Sequence, residues 1–154
     1  MNIIFLDIDG VLRTDKSDKD WSVRLNLPIP KRVFDRNFSP KSVSNINYIT
    51  GLTRSKIVIT STWRTNFNLS ELKKIFINQG IVGDVIDITT INGLNRGEEI
   101  QEYLDTHDID NYVVIDDQVD DILKFCSNKR VFRIDHKIGF EDETIVDEII
   151  DILS

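Results

Sequence analysis

The sequence predicts an open α/β sandwich, a mainly parallel sheet of about five strands with helices on both faces. Three observations predict it. Short apolar runs recur at Ile3–Leu6, Ile57–Ile59, Val85–Ile88, Tyr112–Ile115 and Val131–Ile134. Several are continuous rather than alternating, as strands covered on both faces are. Helix-like stretches fall between them, the alternation that right-handed crossovers build into a parallel sheet. Acids or hydroxyls stand directly after several runs, and in such sheets ligands bind beyond the carboxyl ends of the strands.

The first strand, Ile3 to Leu6, ends in Asp7-Ile8-Asp9-Gly10. Extended residues at i and i+2 share a face, so both carboxylates should aim into one crevice. Like charges that close repel, and one neutralises unless a cation or a reaction uses both. Gly10 permits a sharp turn and a close approach of a ligand to the backbone. An ordinary strand exit uses the same residue types. From Arg13 to Arg36, seven basic residues stand against four acids, a net of +3 that leaves −10 on the remainder of a chain at −7. This segment reads either as a solvated loop or as a basic flap facing substrate.

Ser39-Pro40 supplies an N-cap and a first-turn proline, and Val43, Ile46, Ile49 and Leu52 follow at helical spacing. The second strand ends in Thr60-Ser61-Thr62-Trp63-Arg64. Hydroxyls and free backbone N–H groups there could hold a phosphate oxygen, although threonine is also a common strand residue. A helix opening at Ser70-Glu71 turns Leu72, Ile75 and Phe76 inward and stops at Gly80. After the third strand, whose tip Thr89-Thr90 carries no acid, Asn95-Arg96-Gly97 leads into a helix over Glu98–Leu104. A cation at a helix start opposes the macrodipole, so Arg96 either has a local anionic partner or points into solvent. The fourth strand ends in Asp116-Asp117, with Asp120-Asp121 beyond. Adjacent acids after four apolar residues need neutralising, and magnesium suits them because it takes one or two carboxylates, several waters and a substrate phosphate. Val119–Cys126 reads as a further helix. Thr144–Leu153 reads as the closing one, with Glu141, Asp142 and Glu143 favouring its start.

Composition narrows the function. At 154 residues, 40% hydrophobic and 29% charged, the chain reads as one soluble domain over 1–154 with a short insertion at about 13–38. No apolar run approaches the ~20 residues of a membrane span, and Asp7 interrupts the first run too early for a signal peptide. The single cysteine, Cys126, fits a reducing cytoplasm and reads as a small buried hydrophobe. His107 and His136 lack partners at metal-ligand spacing, which points away from zinc. The net negative charge argues against a protein that grips nucleic acid with its whole surface.

In chain order the strand ends carry Asp-x-Asp-Gly, a hydroxyl, a basic residue and a pair of aspartates. This resembles the haloacid-dehalogenase (HAD) superfamily of phosphohydrolases, whose four motifs occur in that order, over nearly the whole chain. The resemblance implies a Rossmann-like fold, a magnesium cofactor and an aspartyl-phosphate intermediate. It implies Asp7 as nucleophile and Asp9 as general acid/base. Magnesium would be held by the Asp7 carboxylate, the Asp9 carbonyl and Asp116, with Asp117 in support. Thr60 would bind the phosphoryl group, or Ser61 if the register is one residue out. Arg96 falls where many relatives have lysine, and the two are not interchangeable. On this reading, metal-free Asp7 would face Asp9, Asp116 and Asp117 unneutralised. Too few residues separate Leu12 from Ser39 for a large cap, so the site should be open, as in relatives acting on macromolecules.

Ser61-Thr62-Trp63-Arg64, the Arg96-Gly97-Glu98-Glu99-Ile100 helix start and the Ile134-Asp135-His136-Lys137-Ile138-Gly139 loop are similar to one capless group. That group is the HAD-like domain associated with Swiss Army Knife RNA-repair proteins. A nucleic-acid terminal phosphate is then the implied substrate, with a repair enzyme as a possible partner. Arg64, the flap cations and Trp21 or Phe34 could contact a strand end by charge and stacking, whereas Trp63 reads as core and Phe34 has core packing as its alternative. Phosphoproteins, small phosphometabolites and a catalytically silent binding role are the alternatives. A receiver-like module would need its acceptor acid on a middle strand, and the third strand ends without one. A glycosyltransferase using Asp-x-Asp would normally be much longer.

Overall fold

Strand β1 (Asn2–Leu6) is the centre of the sheet in the computed structural model, which describes residues 1–154. It pairs in parallel with β2 (Lys56–Ile59) on one side and β4 (Asn111–Asp116) on the other. Strands β3 (Val85–Ile88) and β5 (Val131–Arg133) extend the two edges, giving the order β3-β2-β1-β4-β5 with every pairing parallel. Each apolar run became a strand because its side chains are buried alternately on opposite faces. Ile4, Leu6, Ile57 and Ile59 enter one core, while Ile3, Phe5, Val58 and Val114 enter the other.

The larger core is covered by α2 (Pro40–Thr53), α3 (Leu69–Asn78) and α5 (Thr144–Leu153). The smaller is covered by α4 (Arg96–Thr106) and the 3-10 turn Ile122–Lys124. The result is the three-layer α/β/α sandwich that the sequence predicts. Ser39 caps α2 by accepting from Ser42 N, with Pro40 in the first turn, and Asn68 and Glu71 form a capping box at α3. Cys126 is buried in the smaller core, where burial pushes its thiol pKa up. No helix is long and apolar enough to cross a membrane.

Two expectations need correction. Residues 119–126 form no α-helix, only the 3-10 turn, because the segment must fold back at once to reach β5. The segment from 13 to 38, read as loop or flap, contains an eleven-residue helix, α1 (Asp15–Leu25). It has no apolar stripe, since only Ser17 and Asp18 of its residues are buried. A Thr14–Ser17 capping box starts it and Asn26, in the left-handed region, ends it. Its anchor is polar. Buried Asp18 accepts from Arg13 at 2.7 Å and from Arg36 at 3.2 Å, tying the helix to the loop on its far side. Phe34 closes the same segment by packing edge-on against Trp63 at 4.9 Å and Phe67 at 5.0 Å.

Candidate active site

The carboxyl ends of β1, β2 and β4 meet where the chain order reverses across the sheet, the place where such folds bind ligands. Leu6 is in register with Ile59 and with Ile115, so the next residues along, Asp7, Thr60 and Asp116, come together without further device. Backbone bonds extend the ladder to them, from Asp7 N to Ile115 O at 3.2 Å and from Thr60 N to Leu6 O at 3.1 Å.

Carboxylate oxygens of Asp7, Asp116 and Asp117 lie within 4.8 Å of one another. Arg96, the first residue of α4, reaches into this group. Its Nη1 is 2.7 Å from Asp116 Oδ2 and 3.4 Å from Asp7 Oδ2. The cation that sits badly at a helix start therefore has two anionic partners. Asn95 caps the same helix by accepting from Glu98 N. Asp7 is 4% exposed and Asp116 fully buried. Burial, then the neighbouring Asp116 charge, raises the Asp7 pKa well above the ordinary carboxylate value, with Arg96 opposing. Burial raises Asp116 as well, against the same arginine. One cation facing three carboxylates leaves negative charge over, and a divalent cation fits that deficit. Two further features suit a phosphate and its metal. Thr60 Oγ1 is buried with no hydrogen-bond partner, and the Asp9 carbonyl accepts no backbone hydrogen bond.

Asp9 has partners of its own. Its carboxylate lies outside the Asp7–Asp116–Asp117 group, accepting from Arg13 Nε at 2.7 Å and Trp63 Nε1 at 3.0 Å. The reason is the turn. The strand ends at Leu6 and the chain turns after Ile8, whose carbonyl accepts from Val11, Leu12 and Arg13 N at 3.1, 2.8 and 3.1 Å, and Gly10, at φ of +83°, brings its N to Arg13 O at 2.8 Å. Asp7 thus faces Arg96 as well as Asp116 and Asp117. Gly10 makes room for Asp117, since a Cβ there would lie 2.6 Å from the Asp117 carboxyl carbon. The close approach it permits is that of a side chain of this chain.

Arg64 is withdrawn from any substrate. It is 8% exposed, and its guanidinium donates to Ser61 O at 2.8 Å, to Thr89 O at 3.0 Å and to the Thr89 hydroxyl, and pairs with buried Glu99 at 3.3 Å. A buried guanidinium satisfied on every side is holding β2, β3 and α4 together. Ser61 Oγ accepts from Trp63 N at 3.2 Å, which leaves Thr60 as the unengaged hydroxyl. Several flap cations are also occupied. Arg13 and Arg36 hold Asp18, and Lys16 pairs with Asp20 at 2.7 Å and Glu141 at 3.1 Å. Lys31 and Arg32 stay exposed, Arg32 only 3.9 Å from Asp35. Trp63 is 1% exposed and belongs to the larger core, yet its N–H serves Asp9. Sequence reasoning missed this bond and that of Arg13 to Asp9. The i, i+4 spacing of Asp9 and Arg13 was the one available signal for the latter.

A family model for the HAD domain in Swiss Army Knife RNA repair proteins matches residues 3–145. Among solved structures, a haloacid dehalogenase-like family hydrolase from Streptococcus pneumoniae superposes with a TM-score of 0.51 and 14% identity, covering 98% of this chain and 90% of that one. At that identity the likeness is one of fold. No curated protein sequence gives a match.

Proposed function

The chain belongs to the family of HAD domains in Swiss Army Knife RNA repair proteins, and from that premise we propose that it is a magnesium-dependent phosphatase acting on nucleic-acid terminal phosphates. One observation carries the chemistry. Three carboxylates from two adjacent strand ends surround one arginine, beside a buried hydroxyl with no partner.

Asp7, the Asp9 carbonyl and Asp116 with Asp117 would hold magnesium, which when bound supplies positive charge to the phosphoryl oxygens and to the nucleophile. The chain's own residues do the rest. An Asp7 carboxylate oxygen attacks phosphorus, forming an acyl phosphate as the bond from phosphorus to the leaving oxygen breaks. Asp9 gives its proton to that leaving oxygen. A water then attacks the same phosphorus and loses its proton to Asp9, and the bond from phosphorus to Asp7 breaks to release phosphate. The Thr60 hydroxyl donates to a phosphoryl oxygen, and Arg96 balances charge on Asp7 and the phosphoryl group. Phosphoryl transfer asks a protein mainly for positioning and charge, and these groups offer both.

The family description supports a nucleic-acid end as the substrate class and a repair enzyme as a partner. Lys31 and Arg32 of the 13–38 segment are exposed, as contact with a polymer substrate would require. Magnesium-dependent phosphate release from 5′- and 3′-phosphorylated oligonucleotides, beside p-nitrophenyl phosphate and with Asp7→Asn as control, tests the reading. Preference for one oligonucleotide end, abolished by Asp7→Asn, supports it. Cleavage of the aryl ester alone moves the substrate to phosphoproteins or metabolites, and inactivity on all three points to a binding role. Replacing Lys31 and Arg32 together by Gln should raise the apparent KM for the oligonucleotide more than for the aryl phosphate. Equal effects would rule out contact between the flap and the polymer.

A further inference from the structure

We propose that Arg13 and Trp63 are positioning residues that hold the Asp9 carboxylate in one orientation for proton delivery, with Asp18 of the flap fixing Arg13 for that task. The proposal rests on the reading of Asp9 as general acid/base.

Both oxygens of Asp9 are gripped, one by each residue, at 2.7 Å from Arg13 Nε and 3.0 Å from Trp63 Nε1. Neither donor is free to wander. The Trp63 ring is held among Phe34, Phe38 and Phe67, with centroids 4.9, 6.2 and 6.0 Å away. Arg13 is anchored at its other end by Asp18, 2.7 Å from Nη1, and the Asp18 side chain is only 3% exposed. The Asp9 side chain nevertheless keeps 40% of its surface open. A carboxylate fixed from behind and open in front is what proton transfer at an accessible site requires. It spares the ordering of a free side chain at each turnover.

Two simpler accounts predict something different. A partly exposed Arg13–Asp9 pair could serve stability alone, and a buried indole N–H needs some partner in any case. Either would tie the effect of substitution to folding and leave the choice of substrate untouched. A positioning role ties it to the leaving group. When Asp7 attacks and the bond to the leaving oxygen breaks, a proton must pass from Asp9 to that oxygen if it is basic. A p-nitrophenolate departs without one.

The test is kcat/KM and kcat for Trp63→Phe and Arg13→Gln over aryl phosphates of graded leaving-group basicity and one alkyl phosphate, beside thermal midpoints. Trp63→Phe keeps an aromatic ring in place and removes the donor, and its midpoint reads the packing lost with the larger ring. Each variant should lose roughly 10- to 100-fold in kcat/KM on the alkyl ester, up to the lower end of a general acid's contribution, and less than about threefold in kcat/KM on p-nitrophenyl phosphate, because kcat/KM stops at departure of the leaving group and leaves out the water step that also uses Asp9. Asp9→Asn should show the same pattern more strongly, and Asp18→Asn a weaker copy of it. Ile149→Ala, in α5 of the larger core and in neither donor's support, should lower the midpoint while the dependence on leaving group stays as in the wild type. Equal losses in kcat/KM across the series, in step with the midpoints, would overturn the proposal and leave the phosphatase reading standing. A wild type inactive on every ester would overturn both.

Discussion

At Gly10 the backbone φ of +83° and the approach of Asp117 impose separate demands on one residue. An alanine would meet left-handed strain of about 1–2 kcal/mol and would collide with a carboxylate of the proposed metal site. Gly10→Ala should therefore lower stability by about 2–4 kcal/mol in urea titrations and weaken magnesium binding measured by calorimetry. A variant with unchanged magnesium affinity would show that Asp117 contributes nothing there. The Asp7-Ile8-Asp9-Gly10 run named the residues of this turn correctly, because strand termination and acidic chemistry are local. It did not show the partners of the Asp9 carboxylate, since Arg13 reaches it only once the turn has formed and Trp63 only once β2 lies beside β1. Arg64 was misread for a related reason. A basic residue after a strand looks the same in sequence whether it faces substrate or a buried Glu99 from another element.

Helix α1 marks the limit of periodicity as a signal. It buries no apolar face, so nothing repeated at helical spacing announced it, and its hold on the fold is the Arg13–Asp18–Arg36 cluster. Asp18→Ala would strip a buried carboxylate from two arginines, leaving Arg13 with only Asp9. Removing one member of such a cluster costs about 3–5 kcal/mol. The expected outcome is a lower urea midpoint and faster proteolytic cutting between Asn26 and Arg32. Unchanged protease resistance would mean that the Phe34 packing alone secures the segment. Helices α2, α3 and α5 were legible because each pairs an apolar stripe with a cap or an acidic start. The turn at 122–124 was over-read as a helix because apolar residues at helical spacing also suit a 3-10 turn packed against α4.

For the whole molecule, the acidic centre couples stability to pH and metal. Asp7 and Asp116 have folded-state pKa values raised above the ordinary 3.8. In metal-free protein the folded state then holds more protons than the unfolded chain from about pH 4 upward. Stability from this source is present below that value and lost as pH rises through the raised pKa values. With chelator present, the thermal midpoint should fall over that range. Millimolar magnesium should restore it most at the upper end, where the carboxylates are ionised. Scanning calorimetry at several pH values, with and without magnesium, measures this, and a pH-independent gain would place the metal elsewhere. The sequence by itself determined the sheet, its two buried faces and the residues at each strand tip, because burial periodicity and strand ends are properties of neighbouring residues. Only the tertiary structure decided that Arg96 enters the carboxylate group, that Arg64 is withdrawn, and that Trp63 and Arg13 grip Asp9. Those outcomes depend on which side chains from separate elements reach the same point, and that is set by packing between elements.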